Sequence, residues 1–299
     1  MTVTNKIIPH LWFDTQAKAA AEFYVDAFPN SAVQHLTVLR DTPSGDCDLV
    51  TFTLAGQTFQ AISAGPFFPL NPSISFTVHC ATAEEVDALW ARLSDGGMAL
   101  MPLDAYPFSP RFGWVQDRFG VSWQVILSES PAEATQRIVP SLMFTGDNFG
   151  KALAAIHFYT SIFPDSASGQ VTLNPGEPGS ADAGTVMTAN FALVGQWFAI
   201  FDSGYAHGFT FNEAISFIVS CETQAEIDHY WEHLSAVPEA EQCGWLKDKF
   251  GLSWQIVPRS MDVLMREGSP AQVASVTQAF MPMKKLDIAA IERAYHAAA

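Results

Sequence analysis

A short apolar run broken only by His10, IIPHLWF at 7–13, predicts a strand. The period then changes. Ala20, Phe23, Ala27 and Phe28 recur at helical spacing, with Asp14 or Thr15 placed to cap the helix and Pro29 to stop it. Runs rich in Val, Thr, Phe and Ile predict strands over about 33–40, 48–55 and 57–63, broken at Gly45 and Gly56. The same β-α-β-β-β order follows again. SISFTVHC at 73–80 reads as a strand, Thr82 with Glu85 as a capping box, and Val86, Leu89, Trp90 and Leu93 as one helix face closed by Gly96 and Gly97. Strands near 98–104, 112–117 and 121–127 complete the second half-unit.

The whole arrangement is then written a second time. FGWVQDRFGVSWQV at 112–125 returns as CGWLKDKFGLSWQI at 243–256, and EFYVDAFPNS at 22–31 returns as HFYTSIFPDS at 157–166. LAGQTFQAISAG at 54–65 matches LVGQWFAIFDSG at 193–204, and PSISFTVHCATAEEVDALW at 72–90 matches EAISFIVSCETQAEIDHYW at 213–231. A period above 100 residues means a tandem duplication of domains and not a solenoid. The expected divisions are residues 1–132, 133–262 and a C-terminal helical docking segment over 263–299, with a polar linker around SESPAEATQR at 128–137. That segment offers Ser269 as a cap, Pro270 in the first turn and a second helix from Asp287. In each copy of the DRFG or DKFG motif, Asp117 or Asp248 can accept backbone N–H groups, and Gly120 or Gly251 can take positive φ. All four residues read as turn architecture.

Composition narrows the partners. Of 299 residues, 48% are hydrophobic and 15% charged, so much apolar surface must be buried. A net charge of −16 opposes nucleic acid, whose phosphates are held by Lys and Arg. The longest apolar run, FALVGQWFAIF, is too short for a bilayer, and the N-terminus lacks a signal-peptide core, so the chain reads as cytoplasmic. Cys47, Cys80, Cys221 and Cys243 form no CxxC and are expected as free thiols.

The pattern PHLWFDTQAKAAAEFYVDAFPNS, GQTFQA, SISFTVHC and GWVQDRFGVSWQ, present in both copies, resembles the PhnB-like family of the vicinal oxygen chelate superfamily. MKKLDIAAIERAY is similar to that family's C-terminal segment. The resemblance implies an α+β, glyoxalase/bleomycin resistance/dioxygenase-like fold, with paired βαβββ modules forming curved mixed sheets around a cavity, helices outside, and two such domains in tandem. It also implies a pseudo-dimer within one chain and leaves a further homo-oligomer open. Members often carry a 3-demethylubiquinone-9 3-methyltransferase label, yet no glycine-rich nucleotide loop follows the first strand here.

The superfamily's metal-ligand positions fall at His10 on the first strand, with Ser141 in copy two, at Ser73 or Ala214 on the strand opening the second half-unit, and at Gln124 or Gln255 on the last strand. Two-residue periodicity puts Trp12 beside His10, and sets Ser75 and Ser216 on a polar face that either lines a cavity or meets solvent. The expected ligand-binding set is therefore His10, Trp12, Gln60, Ser75, Gln124, Ser141, Ser216 and Gln255. The leading expectation is a small, partly apolar ligand held without cofactor or essential metal. A rival is a divalent-metal enzyme of glyoxalase, dioxygenase or antibiotic-resistance type, using His10, Gln60 and Gln124 in copy one. A third reading is a structural scaffold.

Overall fold

A computed structural model describes residues 6–128, 136–177, 180 and 182–298. The predicted linker, apart from Ser128, Gln136 and Arg137, lies outside the described residues. The first copy forms β1 (Ile7–Phe13), α1 (Ala17–Ala27), β2 (Ala32–Thr42), β3 (Gly45–Leu54) and β4 (Gln57–Ser63). It continues with β5 (Ile74–Cys80), α2 (Ala83–Ser94), β6 (Met98–Tyr106), β7 (Ser109–Gln116) and β8 (Ser122–Leu127). The second copy forms β9 (Ile138–Phe144), α3 (Ala152–Ile162), β10 (Ala167–Leu173), β11 (Val186–Leu193) and β12 (Gln196–Asp202). It closes with β13 (Ile215–Cys221), α4 (Gln224–Leu234), β14 (Trp245–Lys247) and β15 (Ser253–Pro258). Helices α5 (Arg259–Glu267), α6 (Pro270–Phe280) and α7 (Ile288–Ala297) follow. No described helix is long and apolar enough to cross a membrane.

The spatial units cut across the sequence copies. One comprises Met1–Phe68 with Asn212–Ala299, and the other Pro69–Phe211. The first carries the sheet β14-β15-β13-β1-β4-β3-β2, the second the sheet β10-β11-β12-β9-β5-β8-β7-β6. Strand β1 has β4 of its own copy as a parallel neighbour and β13 of the other copy as an antiparallel one. Strand β9 does the same with β12 and β5. The spatial units thus differ from the repeats in the sequence, since each sheet takes one half-unit from each copy. Cross-pairing removes the free edges of β1, β13, β9 and β5, and the alternation in each strand is satisfied by any partner of the right face.

In the first unit α1 covers one sheet face through Tyr24, stacked on Phe52, which stacks in turn on Phe59. Its expected cap is not used. Neither Asp14 nor Thr15 serves as N-cap, and the hydroxyl of Ser63 on β4 accepts the Ala17 N–H at 3.0 Å. Thr82 caps α2 as read, accepting Glu85 N–H, but the Glu85 carboxylate accepts from Ala81 and not from Thr82; Thr223 caps α4 likewise by accepting Glu226 N–H. The Ser269 and Gln272 capping box opens α6. Helix α5 was not foreseen, and it begins at Arg259, ahead of the expected segment boundary at 263.

The repeated turn explains itself. Asp117 Oδ1 accepts the N–H groups of Phe119 and Val121 at 2.8 and 3.0 Å, and Oδ2 accepts Trp123 Nε1–H at 2.8 Å. Asp248 does the same for Phe250, Leu252 and Trp254 at 2.8, 3.1 and 2.9 Å. Gly120 and Gly251 adopt φ of +93° and +81°. One carboxylate therefore closes the turn and anchors a fully buried tryptophan.

A second glycine matters by proximity. A Cβ on Gly113 of β7 would lie 2.4 Å from the ring of Trp90 on α2. We expect Gly113→Ala to destabilise the chain by about 1–3 kcal/mol through overpacking. Chemical unfolding in native and Trp90→Leu backgrounds checks this. An equal penalty in both would remove the ring as the cause.

Candidate functional site

Each strand of the first unit separates two environments. Leu11, Phe13, Phe52, Phe59, Phe217 and Trp254 occupy the face that α1 and α4 cover, all of them buried. The opposite face carries His10, whose register neighbours are Gln60 on β4 and Ser216 on β13. Gln255 Nε2–H donates to Ser216 Oγ at 3.0 Å, and Gln255 is the cross-strand partner of Trp245. The Trp245 ring meets His10 edge-on at 5.5 Å and Trp12 at 5.9 Å. Trp12 is held by its Nε1–H on the Gly65 carbonyl at 2.8 Å.

His10 is 2% exposed, and among the described residues nothing hydrogen-bonds its Nδ1. Burial lowers its pKa from 6.5 to about 3, so the imidazole is neutral near pH 7. A buried, unsatisfied ring nitrogen costs about 1–3 kcal/mol and marks a place where a hydrogen-bond partner is missing.

The second unit repeats part of this. Gln124 Nε2–H donates to Ser75 Oγ at 2.7 Å, and Gln124 pairs across the strands with Trp114, whose Nε1–H donates to Ser122 Oγ at 2.7 Å. Ser141 takes the place of His10 and shares a 2.7 Å hydrogen bond with Thr77. Its register neighbour on β12 is Ala199, where the first unit has Gln60. Ser75 and Thr77 are 1% and 9% exposed, which rules out the solvent-facing reading of that strand face.

The eight expected residues thus form two groups. His10, Trp12, Gln60, Ser216 and Gln255 share the first sheet, and Ser75, Gln124 and Ser141 share the second. The proposed metal set of His10, Gln60 and Gln124 is split by this topology, because β13 and β15 of copy two, not β5 and β8 of copy one, join the His10 sheet. The glutamine brought to that sheet is Gln255. One imidazole, two neutral amides and a hydroxyl lack the carboxylate or second histidine that a divalent catalytic ion prefers, so the donors do not fit such an ion. No group of three or more His, Cys, Asp or Glu residues suited to a metal occurs among the described residues.

Reading the strands for ligand positions overlooked Trp245 and Trp114. Their signal was present as the GW pair inside the repeated motif, Gly113-Trp114 and Gly244-Trp245. A separate cleft of ≈ 240 Å³, lined by Asp14, Thr15, Ser44, Asp46, Asp48, Ser63 and Gly65, contains none of the expected residues.

The family model described as 3-demethylubiquinone-9 3-methyltransferase matches residues 5–126 and again 136–257. A PhnB protein from Bacillus cereus, described as a 3-demethylubiquinone-9 3-methyltransferase, is 36% identical over 42% of this chain and 100% of its own, with a TM-score of 0.39. Glyoxalase I from Zea mays is 12% identical, covers 85% of this chain and 94% of its own, and has a TM-score of 0.52. The latter likeness concerns the fold alone. No curated protein matches the chain.

Proposed function

The chain belongs to the 3-demethylubiquinone-9 3-methyltransferase family, PhnB-like and present twice, and on that premise we propose that it binds a small, partly apolar molecule on the polar-lined sheet faces without an essential metal. One observation carries the reading. The amide-on-hydroxyl pair beside a tryptophan recurs in both units, as Gln255 with Ser216 and Trp245, and as Gln124 with Ser75 and Trp114. In each pair the Nε2 group is committed to the serine, which leaves Oε1 to accept from a ligand. The indole supplies apolar contact, and the neutral His10 adds a second acceptor in the first unit. Two neutral acceptors and aromatic edges suit an uncharged molecule with O–H or N–H donors better than an anion.

A thermal-shift screen of neutral metabolites and antibiotics tests this. A ligand at 100 times its Kd contributes about 2.7 kcal/mol, a rise on the order of 5 °C or more for units of this size. Gln124→Leu or Gln255→Leu is expected to abolish the rise for the face it belongs to. A well-folded chain that answers no compound would count against the proposal. Metal content, measured by elemental analysis after purification without chelator and after reloading with zinc, manganese, iron or nickel, is expected to stay below stoichiometric. About one ion per chain, lost in His10→Ala, would replace the proposal with the metal-dependent enzyme.

A further inference from the structure

The face of the first sheet that carries His10 is occupied by the chain's own C-terminal helices. Val276 and Phe280 of α6, Leu286, and Ile291 of α7 are buried in one cluster with Leu39, Cys47 and Ala64. Trp12, Leu49, Ile62 and Val257 pack against that cluster. Trp12, Ile62 and Leu49 form one row across β1, β4 and β3, and Trp12 and Val257 stand two residues along from His10 and Gln255. The tail therefore packs on the Trp12, Ile62 and Leu49 row of the face opposite α1, the same face on which the amide, the imidazole and Trp245 stand.

It also replaces missing structure. Ser94 and Gly113 correspond to Ser235 and Gly244, and the second copy is ten residues shorter between them. In the second unit that span builds β6 and the first half of β7, whereas in the first it forms no named strand and only the three-residue β14 follows it. The tail fills the gap. Met283 and Lys284 carbonyls accept the N–H groups of Cys243 and Gly244 at 2.7 and 2.8 Å, immediately before Trp245. At the surface this stretch is tied by Lys284 to Glu241 at 3.1 Å and by Lys285 to Asp228 at 2.6 Å.

We infer that the segment α6–α7 is an internal competitor that occupies the His10 face, and that an uncharged aromatic molecule with an O–H or N–H donor takes its place when the segment lifts. The inference rests on the reading that these faces bind small molecules, and adds the ligand class and its control. Nδ1 of His10 is unpartnered and buried, and in the tautomer protonated at Nε2 it accepts from such a donor. Trp12 and Trp245, packed edge to face with each other and with His10, give a flat ring aromatic surface to pack on once the segment lifts. Charged ties at the rim release the segment more readily than the apolar cluster beneath it, because exposed ion pairs contribute little each.

The test uses the full chain with Lys284→Glu and Lys285→Glu, which turn both ties into repulsions without carving a cavity, and a chain ending at Glu267. Indole is the probe and indene, which lacks the N–H, its control, both followed by equilibrium dialysis. Diethyl pyrocarbonate modification of His10, read by mass spectrometry, reports whether the segment has lifted. The native chain is expected to protect His10. The charge-reversal variant should expose it and take up indole at least tenfold more tightly than the native chain, with a much smaller gain for indene. His10→Leu in that background should cancel the indole gain. If the truncated chain fails to fold, the full-length variant decides alone. Exposed His10 without an indole gain, a gain that survives His10→Leu, or His10 still protected in every folded variant would overturn the inference. Binding by the native chain that Gln124→Leu removes reports the second unit, so it tests the functional proposal independently of the segment.

Discussion

Asp248→Ala is expected to remove about 4 kcal/mol of stability, and Asp117→Ala a comparable amount, although neither residue touches the candidate ligand faces. Each carboxylate is buried and accepts two backbone N–H groups and one indole N–H. Alanine would orphan all three donors at once, and bonds to a charged group contribute about 1.5–3 kcal/mol each before relaxation. Asparagine should lose only about 2 kcal/mol, since its oxygen can still serve the turn while its NH₂ faces the tryptophan donor to donor. Denaturant unfolding of the four single variants checks this, with separate transitions assigned because the two aspartates lie in different units. A loss below about 1 kcal/mol for either alanine variant would mean that the turn holds without its carboxylate.

The second large effect is a pH dependence carried by one side chain. Since the folded His10 titrates near pH 3 and an unfolded histidine near 6.5, the unfolded chain binds a proton between these values that the folded chain refuses. Stability is therefore undiminished by this group above pH 6.5 and falls as pH drops toward 3, by up to about 1.4 kcal/mol per unit. The groups around the ring, Gln60, Ser216, Trp12 and Trp245, do not titrate in that range. Between pH 6.5 and 5 the native chain should lose about 2 kcal/mol more than His10→Leu, in which all other titrating groups remain. Parallel pH dependences in the two proteins would show that His10 becomes protonated in the folded state after all.

Much of the fold was legible before any coordinates. The strand at Ile7–Phe13 and the helices from Ala17 and Ala83 stand where hydrophobic period and stop signals placed them, because those signals are local. The cap of α1 was misread because its acceptor, Ser63, is 46 residues away along the chain. Helix α5 was missed because nine residues with a single buried side chain give too short a pattern. The grouping of the expected ligand residues was not legible, because it depends on which strands pair, and the two tryptophans beside the amides were not singled out.

By itself the sequence determined the duplication, the βαβββ order of three of the four half-units, the turn chemistry of Asp117 and Asp248, and the polar face of the SISFTVHC and SWQ strands; the fourth half-unit has only β14 and β15 after α4. These follow from spacing within a few residues or from a repeat that can be read directly. Tertiary structure alone decided that β1 joins β13 and not β5, and hence that His10 shares a sheet with Gln255 while Gln124 belongs with Ser141. It also decided that the C-terminal helices cover the His10 face. Alternation specifies a strand's faces but not its neighbour, and an apolar helix stripe specifies that it must be covered but not by what.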